Sequence, residues 1–432
     1  MSGKRVSSNR STFLEPKDAR PVQTTTPSPP TRPVPTAADG APVLPRRRFG
    51  FVLAGLGSTL MLAGASAPSP FYPELQERLG IGPIGVTIAF SAYALALLVA
   101  LLTIGSVSDH LGRRPVITAG FVVLAASMLL LWHVDSGALL YLARVLQGLA
   151  SGALLSTLSA TIIDLAPPER PRAATLLNAI APMIGLASGT ILAGVLLQTV
   201  ADPSSWTFLP LAVAYLLIAV SIWNVPETAA RTPGWARAIR PRAAVPVDAR
   251  RLFVVSIPIV LGGWATGGLF LSLGPSIMHT ELGVDGQLGG ALLIGLLPAA
   301  GAVAAAVLHR RRPVVAAVYG ASALSAGTVL LLVALILGSL PVAVVAVVIA
   351  GTGFGTAFMG TIASLVPLAP ADERAELFAA LYIVAYLSFG VPAVIAGLLA
   401  SAIGLHATVL GYGTVVAIAA GTAAVVRARS AR

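Results

Sequence analysis

From Phe49 onward the chain is written in long apolar runs joined by short polar connections. Twelve such runs fall at 49–71, 84–104, 115–133, 138–163, 173–199, 206–225, 253–273, 288–308, 314–337, 341–366, 375–400 and 406–426. Each can supply the roughly 20 helical residues that cross the hydrocarbon core of a bilayer. Strands of an outer-membrane barrel would instead alternate apolar and polar residues over about ten positions. The pattern therefore predicts an all-α integral membrane protein with twelve transmembrane helices. The longest internal connection, 226–252, is polar, contains Pro226, Pro233, Pro241 and Pro246, and divides the spans six and six. Two six-helix halves follow, at 49–225 and 253–426, with a short C-terminal segment at 427–432. Faint internal echoes support pseudo-symmetry: RRPV at 113–116 recurs at 311–314, and ER at 169–170 recurs at 373–374. Both pairs fall in equivalent connections, after the second and fourth span of each half.

Residues 1–48 break the pattern. They are rich in Pro, Ser and Thr, as in TTTPSPPTRPVPT, and read as a disordered basic tail. No short apolar core stands near the start as in a cleaved signal peptide, so the tail is expected to stay attached.

Composition agrees with the membrane reading. Hydrophobic residues make up 56% of the chain and charged ones 10%, against about 25% charged in soluble proteins. Cysteine is absent, which excludes disulfides, thiolate nucleophiles and cysteine metal sites. The net charge of +11 is not that of a nucleic-acid binder, because the positive residues punctuate apolar runs instead of clustering on a polar domain. Of 28 basic residues, 26 lie in the tail or on its side of the spans; Arg78 lies on the other side and Arg144 lies within a span. Positive residues stay on the cytoplasmic side, so both termini are expected to be cytoplasmic. Nearly all the basic residues are Arg, and with abundant Ala and Gly this suggests a GC-rich bacterial genome and its plasma membrane.

Two segments carry most of the chemistry. GSVSDHLGRRPV, between the second and third spans, supplies Gly105, Asp109, Gly112, Arg113 and Arg114. Its glycines permit a tight turn and close helix approach, while Asp109 can bond Arg113 and meet the positive N-terminus of another helix. The cluster then either latches the two halves together or simply marks a cytoplasmic loop. YLARVLQGLASG places Arg144 inside the fourth span, with Gln147 and Gly148 on the next turn. A charge there is costly, about 2.5–3.5 kcal/mol on insertion scales, so it faces a cavity or partner unless it snorkels to the interface.

The loop resembles the signature loop of the major facilitator superfamily, with His110 where that family commonly has Arg or Lys. The Arg144–Gln147–Gly148 pattern is similar to the fourth helix of its drug:proton antiporter branch, and the resemblance associates the arginine with proton coupling. Asp109 and Asp164, at helix ends, are the carboxylates such coupling could use, and Asp164 joins Arg144 as the proton-coupling candidate. Gly185, Gly189 and Gly194 in the fifth span resemble the branch's glycine-rich motif, although its Gly-Pro pair reads Gly189–Thr190 here. Gly390, Pro392 and Gly397 repeat the pattern in the eleventh span. Helix packing alone also accounts for both sets. VPET at 225–228 closes the sixth span in family fashion. The resemblance covers 49–426 and implies a secondary transporter that works by alternating access, needing no cofactor or metal.

Polar and mid-span aromatic residues mark a cavity. The candidates are Asn178 and Gln147 in the first half and Trp264, Thr266, Phe270, Ser272, Tyr382 and Tyr386 in the second. Trp264, Phe270, Tyr382 and Tyr386 form either an aromatic wall or ordinary packing. Such a cavity suits a small apolar or amphipathic molecule. Export of a drug or secondary metabolite by a monomer, with or without exchange for protons, is the leading expectation; uptake of a metabolite, a facilitator of the same fold and a non-transporting receptor are alternatives. The five histidines show no spacing that suggests a metal site or catalytic pair, so no enzyme is expected.

Overall fold

The computed structural model describes Gly3 and residues 43–169, 172–229, 243–284, 286–370 and 373–430. The tail therefore lies largely outside the described residues, but its last six are already helical. The first half comprises α1 (Val43–Ser66), α2 (Tyr72–Leu79), α3 (Gly82–Ile104), α4 (Val107–Leu111), α5 (Arg113–Trp132), α6 (Gly137–Asp164), α7 (Arg172–Thr199) and α8 (Pro203–Ser221). The second comprises α9 (Val247–Ser272), α10 (Gly274–Leu282), α11 (Gln287–Leu308), α12 (Pro313–Leu337), α13 (Leu340–Leu365), α14 (Arg374–Ile403) and α15 (Leu405–Arg429). Twelve of these helices are long and apolar enough to cross a membrane; α2, α4 and α10 are the short exceptions. Helices are the form that satisfies every backbone group where lipid supplies no partner.

Several helices begin before their apolar runs do. The helix α1 starts at Val43 and carries Arg46, Arg47 and Arg48 in its first turns, and α9 starts at Val247, six residues ahead of the expected span. Polar residues extend the helix into the interface, where long arginine side chains reach polar surroundings.

Internal symmetry also shows in a feature that hydropathy alone hides. After the first span of each half the chain turns at proline and runs into a short amphipathic helix. In the first half this is APSPFYPELQERLG, ending at Gly80 (φ 64°); in the second it is LGPSIMHTELG, ending at Gly283 (φ 59°). Proline interrupts the backbone ladder, and glycine takes the left-handed cap that other residues resist.

Each half has its own apolar core. One groups Leu53, Phe121, Met128, Leu154 and Tyr215, and the other Phe270, Leu297, Leu324, Val347 and Phe354. A third cluster joins them, with Phe90, Tyr93, Leu97 and Leu186 from the first half against Leu271, Ile294, Tyr386 and Phe389 from the second. The seam is formed by α7 on α11 and α3 on α14. Backbones meet closely there: a methyl group on Gly397 would stand 2.1 Å from Thr87 Oγ1, and one on Gly295 2.5 Å from Ile191. The Ser69 hydroxyl donates to Leu271 O (2.6 Å), and that of Ser91 to Gly390 O (2.8 Å). These contacts all lie in the part of the spans remote from the face that carries Arg47, Asp164 and Arg113, hereafter the terminal face.

A naturally cysteine-free chain makes this seam easy to test. The Cβ position of residue 390 lies 3.6 Å from Ser91 Cβ, within the roughly 3.5–4.5 Å of a disulfide. Mild oxidation of a Ser91→Cys, Gly390→Cys double variant should consume both thiols within one chain, as read by thiol titration and mass spectrometry, while either single variant stays reduced.

Candidate substrate path and gates

At the terminal face, α4 and α5 are joined by Gly112, whose φ of 101° requires glycine. The turn brings Arg113 Nη1 to 2.5 Å from Asp109 Oδ1 and Arg113 Nε to 3.5 Å from Asp164 Oδ2. Arg113 also donates to Ser108 Oγ (2.6 Å), and the Thr228 hydroxyl donates to Asp164 Oδ2 (2.8 Å). Arg47 donates to the Asp164 carbonyl at 2.8 Å. Asp109 is 56% exposed, so its pair contributes only about 0–1 kcal/mol. At the N-terminus of α5 the capping carboxylate is that of Glu227, which accepts from the backbone N–H of Arg113 (2.8 Å) and Arg114 (3.2 Å). Glu227 was visible in VPET without an evident role. It serves as a cap brought in from the end of the sixth span, where a carboxylate both satisfies orphan donors and faces the positive end of the helix dipole.

Burial pushes the Glu227 carboxyl up, but backbone N–H groups of Arg113, Arg114, Ala229 and Thr228 outweigh it and hold the group below the usual carboxylate range. The Asp202 carboxyl is likewise lowered, by the side chain and the backbone N–H of Ser205 at the start of α8.

Arg144 sits near the remote end of α6 and is 1% exposed, so it does not snorkel. Its Nη1 donates to Ala65 O (3.1 Å) and to Gln147 Oε1, and Gln147 Nε2 donates to Gly64 O (2.8 Å). Gly64 and Ala65 are in the last turn of α1, whose carbonyls have no intrahelical partner. The pair thus caps α1, with the cation at the negative end of its dipole. The guanidinium also lies 4.5 Å from the ring centre of Tyr93 on α3. Gly148 allows this approach, since a methyl there would meet Tyr93 O at 2.3 Å. Asp164 is twenty residues further along α6, about 30 Å away, so it does not touch Arg144.

The glycine sets divide between two tasks. Gly185 and Gly189 seat α7 on α1, where added methyls would stand 2.2 Å from Thr59 O and 2.0 Å from Ala63 O; Gly194 is buried further along α7. Thr190, in the family's proline position, returns its hydroxyl to Leu186 O. Gly390 and Gly397 face α3 across the seam, whereas Pro392 lies on an apolar groove formed by α9, α14 and α15.

Trp264, Tyr382 and Tyr386 come together on the seam. Trp264 packs against Tyr386 (4.8 Å between ring centres), Phe358 (5.3 Å) and Phe389 (5.4 Å), all edge to face, and Tyr382 continues the row. Phe389 meets Phe90 of the other half at 4.7 Å. Trp264, Phe358 and Tyr382 are only half-buried. Phe358, Phe389 and Phe90 escaped the sequence reading; the one available signal was aromatic residues mid-span beside glycine, in GTAFMG and FGVP. Phe270 and Thr266 are placed elsewhere, lining a small void inside the second half with Thr328 and Tyr412. Thr266 and Ser272 are buried and bond back to Gly262 O and Gly268 O, and Gln147 is spent on Arg144 and α1. Asn178 is half-buried and donates to Ser159 O (3.3 Å).

His406 Nδ1 lies 2.5 Å from Glu281 Oε2, a pairing that sequence spacing did not reveal. Among the described residues no group of three side chains is arranged to hold a metal.

Twelve spanning helices in two repeats, meeting along a seam of small and aromatic residues, are the architecture on which secondary transporters are commonly built. A profile of the Major Facilitator Superfamily matches residues 54–391, and the chain belongs to that superfamily. It is 27% identical over 234 residues to the uncharacterized transporter YebQ of Escherichia coli K12, covering 53% of this chain and 49% of YebQ. It is 24% identical over 216 residues to the multidrug resistance protein MdtL of Citrobacter koseri, covering 49% and 54%. The matches thus span about half the length of these relatives. In fold it is similar to a bacterial homolog of the human lysosomal transporter Spinster, solved inward-facing and unoccupied, with a TM-score of 0.68, 14% identity and coverage of 89% and 97%. The superfamily to which it belongs is one of multi-pass membrane transporters.

Two outcomes test this geometry. Glu227→Ala should lower stability by about 0.5–2 kcal/mol in detergent melts at neutral pH. Because the folded pKa lies below the ordinary 4.5, that difference should persist above pH 4.5 and shrink as pH falls through the folded value. Arg144→Leu strands Ala65 O and the Gln147 amide oxygen in a dry interior, and should cost roughly 1–3 kcal/mol for each group left unpaired.

Proposed function

We propose that this protein exports small, mainly apolar or amphipathic compounds from a bacterial cytoplasm by rocking its two halves, with both termini cytoplasmic. The aromatic wall of Trp264, Phe358 and Tyr382 carries this reading: it is half-buried on the seam, sealed on the remote side by Phe90 and Phe389. A compound arriving from the terminal face meets flat apolar rings and few hydrogen-bonding groups, which suits a drug-like molecule better than a sugar. The arginines on the terminal face support a cytoplasmic assignment for it. The conformation is then the inward-open one, with Ser69–Leu271 and Ser91–Gly390 closing the outer gate. The similarity to a multidrug resistance protein agrees with efflux. The wall is complete within one chain, so a monomer suffices.

The cluster of Asp109, Arg113, Asp164 and Glu227 serves in this scheme as the cytoplasmic latch, held within the first half while the path is open to the cytoplasm. Proton exchange rests on Asp109, Asp164 and Arg144. A facilitator is the second reading, favoured by the lack of any carboxylate in a span interior.

In a susceptible bacterial host the wild type should raise tolerance to a panel of apolar compounds. Trp264→Ala or Tyr382→Ala should cut efflux by about fivefold at equal membrane abundance, as expected from losing an aromatic contact of roughly 1 kcal/mol. Efflux in reconstituted vesicles that survives collapse of the pH gradient would replace the antiporter with the facilitator.

A further inference from the structure

Arg144 is buried, and no carboxylate offsets it. Among the described residues the interior of every span is free of Asp and Glu, and the carboxylates cluster on the two faces. The guanidinium is met by the α1 carbonyls, by Gln147 and by the Tyr93 ring, and its Nε has no hydrogen-bond partner. Dipoles and a ring face soften a charge without cancelling it. A full positive charge therefore acts on its surroundings through a low-dielectric interior, where charges interact far more strongly than in water.

Its nearest surroundings lead to the aromatic wall. Tyr93, stacked by Arg144, is one helical turn from Phe90 on α3. Phe90 packs on Phe389, and Phe389 packs on Trp264. Tyr93, Phe90, Tyr386 and Phe389 belong to one buried cluster, against which Trp264 and Tyr382 pack. The charge and the wall are thus coupled through contiguous dry packing, with no ion between them in the sequence of contacts.

Ring orientation points the same way. A cage for an organic cation needs the faces of several rings to converge on one space. Here Trp264 is met edge to face by Phe358, Tyr386 and Phe389 at 4.8–5.4 Å, so the rings fill the space between themselves. What they offer a ligand is an outer surface for stacking.

We infer that the wall selects planar aromatic compounds that are neutral or anionic and rejects organic cations, with Arg144 setting that preference through Tyr93. The inference rests on the proposal that the wall binds the transported compound, and it makes Arg144 a specificity-determining residue that touches no ligand. In an effective dielectric near 20, one charge changes the affinity for another by on the order of tenfold at about 10 Å and by less beyond it.

The test uses three probes on one ring system: anthracene-9-carboxylate, 9-(hydroxymethyl)anthracene and (anthracen-9-ylmethyl)trimethylammonium. Binding to the purified full-length protein is read as quenching of tryptophan fluorescence, with Trp264→Phe supplying the background to subtract. The wild type should bind the cation at least about tenfold more weakly than the carboxylate, with the alcohol between. Arg144→Gln should shrink that gap to within about threefold, and Arg144→Lys should keep it. A cation that binds the wild type as tightly as the carboxylate overturns the inference and leaves the wall as a binding surface. Quenching by none of the probes overturns the wall as well. A gap that Arg144→Gln leaves unchanged overturns Arg144 as its cause, and if that variant does not fold, Arg144→Met takes its place in the comparison.

Discussion

Hydrocarbon offers no hydrogen bonds, and every feature of this transporter answers to that fact. The backbone closes on itself in twelve helices, and where a helix stops short of water its end must find a partner inside the protein. The end of α1 is such a place. Its last carbonyls are received by Arg144 and Gln147 of α6, and Ser66 ties the same turn to Leu186 O on α7. Three helices of the first half are pinned at one point by polar groups that have nowhere else to go.

Lipid also removes the ordinary hydrophobic drive for helix association, which leaves close packing to do the work. Glycine at Gly185, Gly189 and Gly397 brings backbones together until a methyl group would collide. Pseudo-symmetric positions then diverge in use: in α7 these glycines build one half, and in α14 they join the two halves. The joining hydrogen bonds lie toward the end of the spans remote from the terminal face, while Trp264, Phe358 and Tyr382 of the aromatic wall stay half-buried.

Charge follows the same logic of confinement. Acidic groups remain at the faces, where Glu227 caps α5 and Asp164 faces Arg113, and one unbalanced arginine remains inside. If the aromatic wall binds the transported compound as proposed, that arginine makes selectivity a matter of field as much as of shape.

Span number, the two halves and the placement of Asp109 and Arg113 at helix ends and of Arg144 inside a span were legible in the sequence, because hydropathy, proline-rich connections and the cost of a buried charge are local properties. Boundaries shifted where arginines extended α1 and α9, since interfacial residues are polar in composition but helical in structure. The partners were a different matter. That Arg144 caps α1, that Glu227 reaches α5 across more than a hundred residues, and that Phe389 meets Phe90 depend on which helix faces lie together. Phe270 and Trp264 share one helix and one chemistry, yet one faces a bundle interior and the other the seam. In spans that are apolar on every side, periodicity carries no mark of direction, so only tertiary packing decides which face lines the path.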